Sequence, residues 1–259
     1  SGKAAGSPAN AVKVSFRDAN LRYAGAGADS LSDITFDVAP GETVGIIGGT
    51  GSGKSSLVNM IPRFYDASQG SVCIDGVDVK DYTLDELRHK VGVVPQKAVL
   101  FAGTIADNIR WGKQDATEAE IDEALEIAQA KEFVDGKENG IYFKITQGGK
   151  NLSGGQKQRL TIARAVVRKP EILILDDSAS ALDFATDAAL RKAIREKTKG
   201  MTVFLVSQRA STIMNSDKII VMDDGQIAGI GTHRQLLSNC EIYREICQSQ
   251  LSEEELSHE

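Results

Sequence analysis

The sequence predicts an α/β protein with a mostly parallel sheet covered by helices on both faces, a small antiparallel β part ahead of it, and a helical insert. Three observations predict this class. Residues 48–55, Gly-Gly-Thr-Gly-Ser-Gly-Lys-Ser, fit G-x-x-x-x-G-K-[ST] between a strand-like and a helix-like stretch. Continuous apolar runs at 172–175, 202–206 and 218–222 alternate with helical stretches, as buried parallel strands do. Between them, residues 104–130 carry mostly helical signals.

The elements follow in order. Residues 12–16 and Leu31–Val38 alternate apolar and polar residues, which predicts two half-buried, antiparallel strands. Tyr23 lies between them, just before the small-residue run 24–28. Residues 43–47 read as a buried strand and 56–61 as the helix behind the glycine loop. Residues 71–76 form a strand entering a turn, 83–90 a short helix, and 91–94 a second buried strand ending at Pro95-Gln96. Thr117 and Glu120 have capping-box spacing, and Ile121, Ala124, Leu125 and Ala128 share the face of the helix that follows. Residues 141–145 are expected to be extended and 147–151 a loop. Ser153 and Gln156 have capping-box spacing again, opening a helix to about Val167. Helices are expected over 185–196 and 208–214.

Bulk properties narrow the function. A chain of 259 residues can bury a sizeable core. The net charge of −6 argues against a general nucleic-acid surface. Cys73, Cys240 and Cys247 show neither metal spacing nor an even disulfide framework, which fits a reducing, cytosolic setting. No apolar run reaches the length of a membrane span, and no signal peptide is expected from the opening residues. The opening residues 1–11 read as a linker or cloning remnant, so a piece of a longer chain is expected. The domain is expected over 12–248, its helical part over about 97–168, with a frayed acidic tail over 249–259.

The candidate chemistry lies at the C-terminal ends of strands, where open α/β sheets bind ligands. In the first loop, Gly48, Gly49, Gly51 and Gly53 let the backbone turn its N–H groups toward anionic oxygens, with Thr50, Ser52 and Ser56 around them. Lys54 can reach outer phosphates, and the Ser55 hydroxyl can ligate Mg²⁺. Strand 172–175 ends in Asp176, suited to Mg²⁺, and Asp177, a base or water-positioner; the plainer alternative is a helix cap with a solvated neighbour. Strand 202–206 ends in Ser207-Gln208-Arg209. The stretch Leu152-Ser153-Gly154-Gly155-Gln156 combines glycines, a hydroxyl and a helix start. By itself it fits a second anion site, the far side of a nucleotide held by another subunit, or a plain helix cap.

Together these motifs resemble the nucleotide-binding domain of ABC transporters over roughly residues 12–248, a P-loop NTPase (RecA-like) core. Residues 48–55 match Walker A, Gln96 the Q-loop glutamine that senses Mg²⁺, 152–156 the LSGGQ signature, 172–176 Walker B, and 180–183 the D-loop ending in Asp183. Tyr23 sits where the family places an aromatic that stacks on adenine, and Gln147 near an exporter glutamate. Residues 99–109 are similar to an exporter pattern. The resemblance implies ATP and Mg²⁺, and two domains facing head to tail with two ATP molecules between Walker A and signature motifs. It further implies a membrane domain on the same parent chain, at the cytoplasmic face of the cell membrane.

Two positions depart from the family. Asp177 stands where a glutamate normally follows Walker B, and Gln208 replaces the switch histidine. The shorter carboxylate and the neutral amide predict ATP binding with slow hydrolysis. An intact LSGGQ beside a weakened site points to one half of a heterodimeric exporter; a slow homodimer is the alternative. A soluble ABC-type ATPase acting on nucleic acid fits less well, because one cassette and an acidic chain are present. LSGGQ argues against a P-loop kinase or GTPase.

Overall fold

The computed structural model describes residues 11–252 and Leu256. It opens with β1 (Val14–Leu21), β2 (Leu31–Val38), β3 (Thr43–Gly48) and α1 (Lys54–Asn59). Then come β4 (Gln69–Ile74), β5 (Val77–Asp78), α2 (Leu84–Lys90), β6 (Val91–Val94) and β7 (Gly103–Thr104). The helical stretch holds α3 (Ile105–Arg110), α4 (Glu118–Ile127) and α5 (Lys131–Asp135), closed by β8 (Lys144–Ile145). There follow α6 (Gly154–Val166), β9 (Ile172–Asp176), α7 (Phe184–Lys197), β10 (Thr202–Val206) and α8 (Ala210–Ile213). The chain then forms β11 (Lys218–Asp223), β12 (Gln226–Gly231), α9 (His233–Asn239) and α10 (Glu241–Gln250).

These elements fall into two units. The first takes the described residues up to Arg88, Gly200–Phe204, and those from Gln208 on; the second takes His89–Lys199 and Leu205–Ser207. In the first unit β2-β1-β4-β5 form an antiparallel sheet. Phe16 pairs with Phe36 across it, and their rings stack with centroids 4.6 Å apart. β1 is bulged against both neighbours around Asp18, whose φ of 45° lies in the left-handed region. The strand therefore runs on to Leu21, past the point where its alternation breaks down.

The first unit also carries the order β12-β11-β3-β10. β11 runs parallel to β3, with Lys218 opposite Val44 and Met222 opposite Gly48. Val44, Ile46 and Ile47 of β3 and 219–222 of β11 are fully buried, as a strand covered on both faces requires. β12 returns antiparallel through Asp224-Gly225, both at positive φ (44° and 75°), the conformation of a type I′ hairpin turn. α9 and α10 were not expected from the sequence; Tyr243 and Cys247 bury one face of α10 completely.

In the second unit β10-β9-β6 are neighbours, with β6 and β9 parallel from Val91 opposite Ile172 to Val94 opposite Leu175. The helical insert packs α3 and α4 on α6, and each of these helices begins with a complete capping box, at Thr104, Thr117 and Ser153. The result is an α/β core of RecA type with an antiparallel β part and a helical insert.

Several local expectations need correcting. The helix after the glycine loop starts at Lys54, two residues early. Of 141–145 only Lys144–Ile145 is strand, because Gly140–Tyr142 closes a 3₁₀ turn. The helix expected over 208–214 is confined to Ala210–Ile213, since Arg209 is extended (φ −90°, ψ 117°). The linker expected over 1–11 lies, except for Ala11, outside the described residues, as does most of the acidic tail.

Candidate active site

The glycine loop belongs to the first unit and joins β3 to α1. A Cβ at Gly48 would lie 2.3 Å from Met222 O on the neighbouring strand, so only glycine lets the loop leave the sheet here. Gly53, at φ 100°, caps α1 in a conformation that a side chain rarely adopts, and its Cβ would meet Leu31 Cδ2 at 2.6 Å. The loop closes on itself through Ser52 N–H to Gly49 O (3.2 Å), and Gly225 N–H donates to Ser52 O (3.0 Å).

Lys54 is 8% exposed, and its Nζ donates to Gly48 O (2.8 Å) and Gly49 O (2.9 Å). The ammonium is thereby held at the mouth of the loop. A phosphate oxygen is the stronger, charge-assisted acceptor for the same protons. Ser52 Oγ is buried without a hydrogen-bond partner. A buried ammonium, an unpartnered hydroxyl and a loop only glycine can form suit an anionic phosphate. Thr50, Gly51 and Ser55 are exposed on the same loop. Tyr23 OH hydrogen-bonds to Ser56 Oγ, and its ring meets Tyr65 edge-on with centroids 4.9 Å apart. Gln208, also in the first unit, is exposed.

The second unit holds the remaining predicted residues. β9 delivers Asp176 at its last position and Asp177 immediately after it. Asp177 has φ 49°, and its N–H donates to Val206 O (2.8 Å), which pins the turn behind the strand. Gln96 Nε2 donates to Asp177 Oδ2 (3.1 Å), so these two residues are brought together. The signature opens α6: Gln156 N–H donates to Ser153 Oγ (3.2 Å), and Ser153 N–H to Gln156 Oε1 (3.1 Å). A side chain at Gly155 would come within 3.2 Å of Ala181 O, so the signature lies tight against the D-loop. Asp183 caps α7, taking the Thr186 N–H at 2.7 Å. That bond, with lesser help from the Arg159 charge, holds the Asp183 carboxyl below the usual range. Gln147 is exposed in a short 3₁₀ turn.

Three residues that sequence reasoning did not single out tie this unit together. Gln158, 2% exposed, donates from Nε2 to Pro95 O (3.3 Å), linking the signature helix to the Gln96 segment. Arg159 donates to Gly155 O (3.2 Å) and Gln129 O (2.9 Å) and lies over the Phe133 ring at 4.7 Å. Its burial pulls the guanidinium below its ordinary value. Asn108 accepts from Phe101 N–H (2.9 Å) and donates to Phe101 O (2.9 Å) and Thr104 O (3.0 Å). It fixes the loop that stacks Phe101 on Trp111, with centroids 4.9 Å apart. Phe101 is 43% and Trp111 69% exposed. Asn108 lies inside the exporter-like stretch 99–109, whereas Gln158 and Arg159 carried no sequence signal beyond their place on the helix that the signature opens.

A strand, a glycine loop with a buried lysine and a following helix define a phosphate-binding protein of the P-loop type. The comparisons with known proteins specify the family. The ABC transporter family model matches residues 31–180, more than half of the chain. An uncharacterized ABC transporter ATP-binding protein of Mycobacterium tuberculosis is 45% identical over 240 residues, 92% of this chain and 41% of its own length. The ATP-dependent lipid A-core flippase of Hahella chejuensis is 41% identical over 242 residues, 93% of this chain and 41% of its own. The solved structure of a bacterial Atm1-family ABC exporter with ATP bound superposes with a TM-score of 0.89 at 37% identity, over 94% of this chain and 43% of that one. The chain belongs to the ABC transporter family. It spans about 41% of the length of the curated relatives it matches. Among the described residues no helix is long and apolar enough to cross a membrane.

Proposed function

We propose that this chain is the ATP-driven motor domain, over 12–248, of an exporter-type ABC transporter, and that its own Walker site turns over slowly. The observation that carries the reading is the pair of departures at Asp177 and Gln208 in a chain whose loop, signature and D-loop are otherwise complete. ATP phosphates sit in the loop 48–56, with Lys54 as the charge on the outer phosphates and Tyr23 against the adenine. Ser55, Asp176 and Gln96 hold Mg²⁺, which, when bound, offsets the charge of the phosphate oxygens. Asp177 orients the attacking water, but its carboxylate is one methylene short and is already engaged by Gln96 at 3.1 Å. A misplacement of about 1 Å costs about 100-fold. Gln208 is neutral, so it adds no positive charge where phosphoryl transfer most needs it.

The intact Ser153–Gln156 signature and Asp183 then serve a second nucleotide-binding domain, on a different chain, in a head-to-tail dimer. Closure is passed through the Gln96 loop and the helical insert to a membrane domain of the same parent chain, at the cytoplasmic face of the membrane. The exposed Phe101–Trp111 pair offers an apolar surface for that contact. The parent sequence is expected to carry several spans of about 20 apolar residues each ahead of residue 12.

The test is ATP turnover at high protein concentration, beside the Asp177→Glu/Gln208→His double variant, with ATP binding measured for both. Wild type that binds ATP and barely hydrolyses it, with a gain in the variant, supports the reading. Brisk wild-type hydrolysis overturns it in favour of an ordinary homodimer.

A further inference from the structure

The last residue of α10 reaches the segment that carries Gln208. Gln250 Nε2 donates to Gln208 O (2.8 Å), and Gln250 Oε1 accepts from Ala210 N–H (2.7 Å). One side-chain amide thus pairs with the backbone on both sides of Arg209, donor to acceptor and acceptor to donor, as an adjacent strand would. The need for such a partner is local. Ala210 is the buried first residue of α8, and its N–H is one of the donors a helix start leaves unpaired. Arg209, at the N-cap, makes no side-chain cap bond. Gln250 supplies the missing acceptor from 40 residues further along the chain.

The helix that carries it is well anchored. Tyr243 and Cys247 are fully buried, two turns and one turn before Gln250, and α10 packs on both α8 and α9. The amide is therefore presented from a fixed base, although Gln250 itself is exposed.

We infer that Gln250 is a positioning residue: it holds the Gln208 peptide, and through it sets where the Gln208 side chain points during ATP turnover. This rests on the reading of Gln208 as the switch residue of the site. It extends the functional machinery to the last turn of α10.

The experiment compares the whole chain with Gln250→Leu, which keeps the shape and removes both bonds, and Gln250→Glu, which keeps the acceptor and removes the donor. Amide hydrogen exchange at Ala210 is read without nucleotide; ATP binding, kcat and KM are read separately. Gln250→Leu is expected to speed Ala210 exchange about 3- to 10-fold, the loss of one hydrogen bond. It should lower kcat by a similar factor while KM stays unchanged and Tm falls by no more than about 4 °C. Gln250→Glu should restore slow exchange at Ala210 but not kcat, because only the Gln208 bond is missing. Unchanged Ala210 exchange in Gln250→Leu overturns the inference. So does faster exchange with unchanged kcat, or a fall in Tm and kcat together that Gln250→Glu fully rescues. A wild-type chain that binds no ATP defeats the reading of the site instead, and exchange at Ala210 then decides the clamp alone.

Discussion

Gln96 Nε2 lies 3.1 Å from Asp177 Oδ2, so the carboxylate that follows β9 is held by an uncharged amide from the segment after β6. With φ 49° and its N–H bonded to Val206 O, the Asp177 backbone has little freedom to carry that carboxylate forward. Reach must come from the side chain. Asp177→Glu alone is expected to raise the single-turnover rate of ATP hydrolysis about tenfold, a share of the ~100-fold attached to a 1 Å misplacement. Asp177→Ala should remove measurable hydrolysis, with ATP affinity within about threefold of wild type. Equal rates in all three chains would remove Asp177 from the reaction.

Gly48 tests the loop itself. A methyl group there meets Met222 O at 2.3 Å, whereas one at Gly49 meets nothing within 4 Å. Gly48→Ala should cost about 1–3 kcal/mol by overpacking, lowering Tm by about 3–10 °C in a domain of this size. Gly49→Ala should leave nucleotide-free Tm unchanged. Thermal melts of the two variants side by side check the contrast.

Asn108 anchors the exporter-like stretch, and the chain contains one tryptophan, Trp111, to report on it. Asn108→Ala strands the Phe101 N–H and two carbonyls, at about 2–3 kcal/mol. The near-ultraviolet circular dichroism of Trp111 should weaken as Phe101 leaves its face, and Tm should drop by about 5–10 °C. An unaltered Trp111 signal would show that the stack does not depend on Asn108.

His233 gives the fold a pH dependence with a defined sign. Its Nδ1 and Tyr243 OH are 2.6 Å apart, and burial pushes its pKa below the ordinary value. Burial raises the Tyr243 and Cys247 groups beside it, so both stay neutral in this range. A histidine with a lowered native pKa binds fewer protons folded than unfolded. Its contribution is complete above the unfolded pKa of about 6.5 and declines as pH falls toward the lower native value. Tm should therefore drop more steeply between pH 7 and 5.5 in wild type than in His233→Gln. Parallel Tm–pH curves would rule the histidine out as the source.

What could be read in advance follows from how local each signal is. Leu31–Val38 coincides with its strand because strict alternation places Ile34, Phe36 and Val38 on the buried face. The apolar runs 172–175 and 202–206 correspond to β9 and β10 because both are buried almost throughout. β12 escaped because no residue of Gln226–Gly231 is fully buried, although Asp224-Gly225 was a legible hairpin turn. The phosphate loop was legible as a motif, since its glycines answer to short-range geometry. The Gln158–Pro95 and Gln250–Gln208 bonds were not, because their partners lie 63 and 42 residues apart and nothing in the chain pairs them.

The cap at Ser153 leaves a chemical valence unspent. A serine hydroxyl has one proton to give and two lone pairs to receive. The helix start uses only a lone pair, taking the Gln156 N–H at 3.2 Å, while the Ser153 N–H is satisfied by Gln156 Oε1. The hydroxyl can therefore still donate to an anionic acceptor, such as the phosphate oxygen that the proposed head-to-tail dimer would bring to it, without giving up the bond that starts α6. Folding and ligand capture draw on opposite polarities of the same atom, so docking at this surface requires no local unwinding.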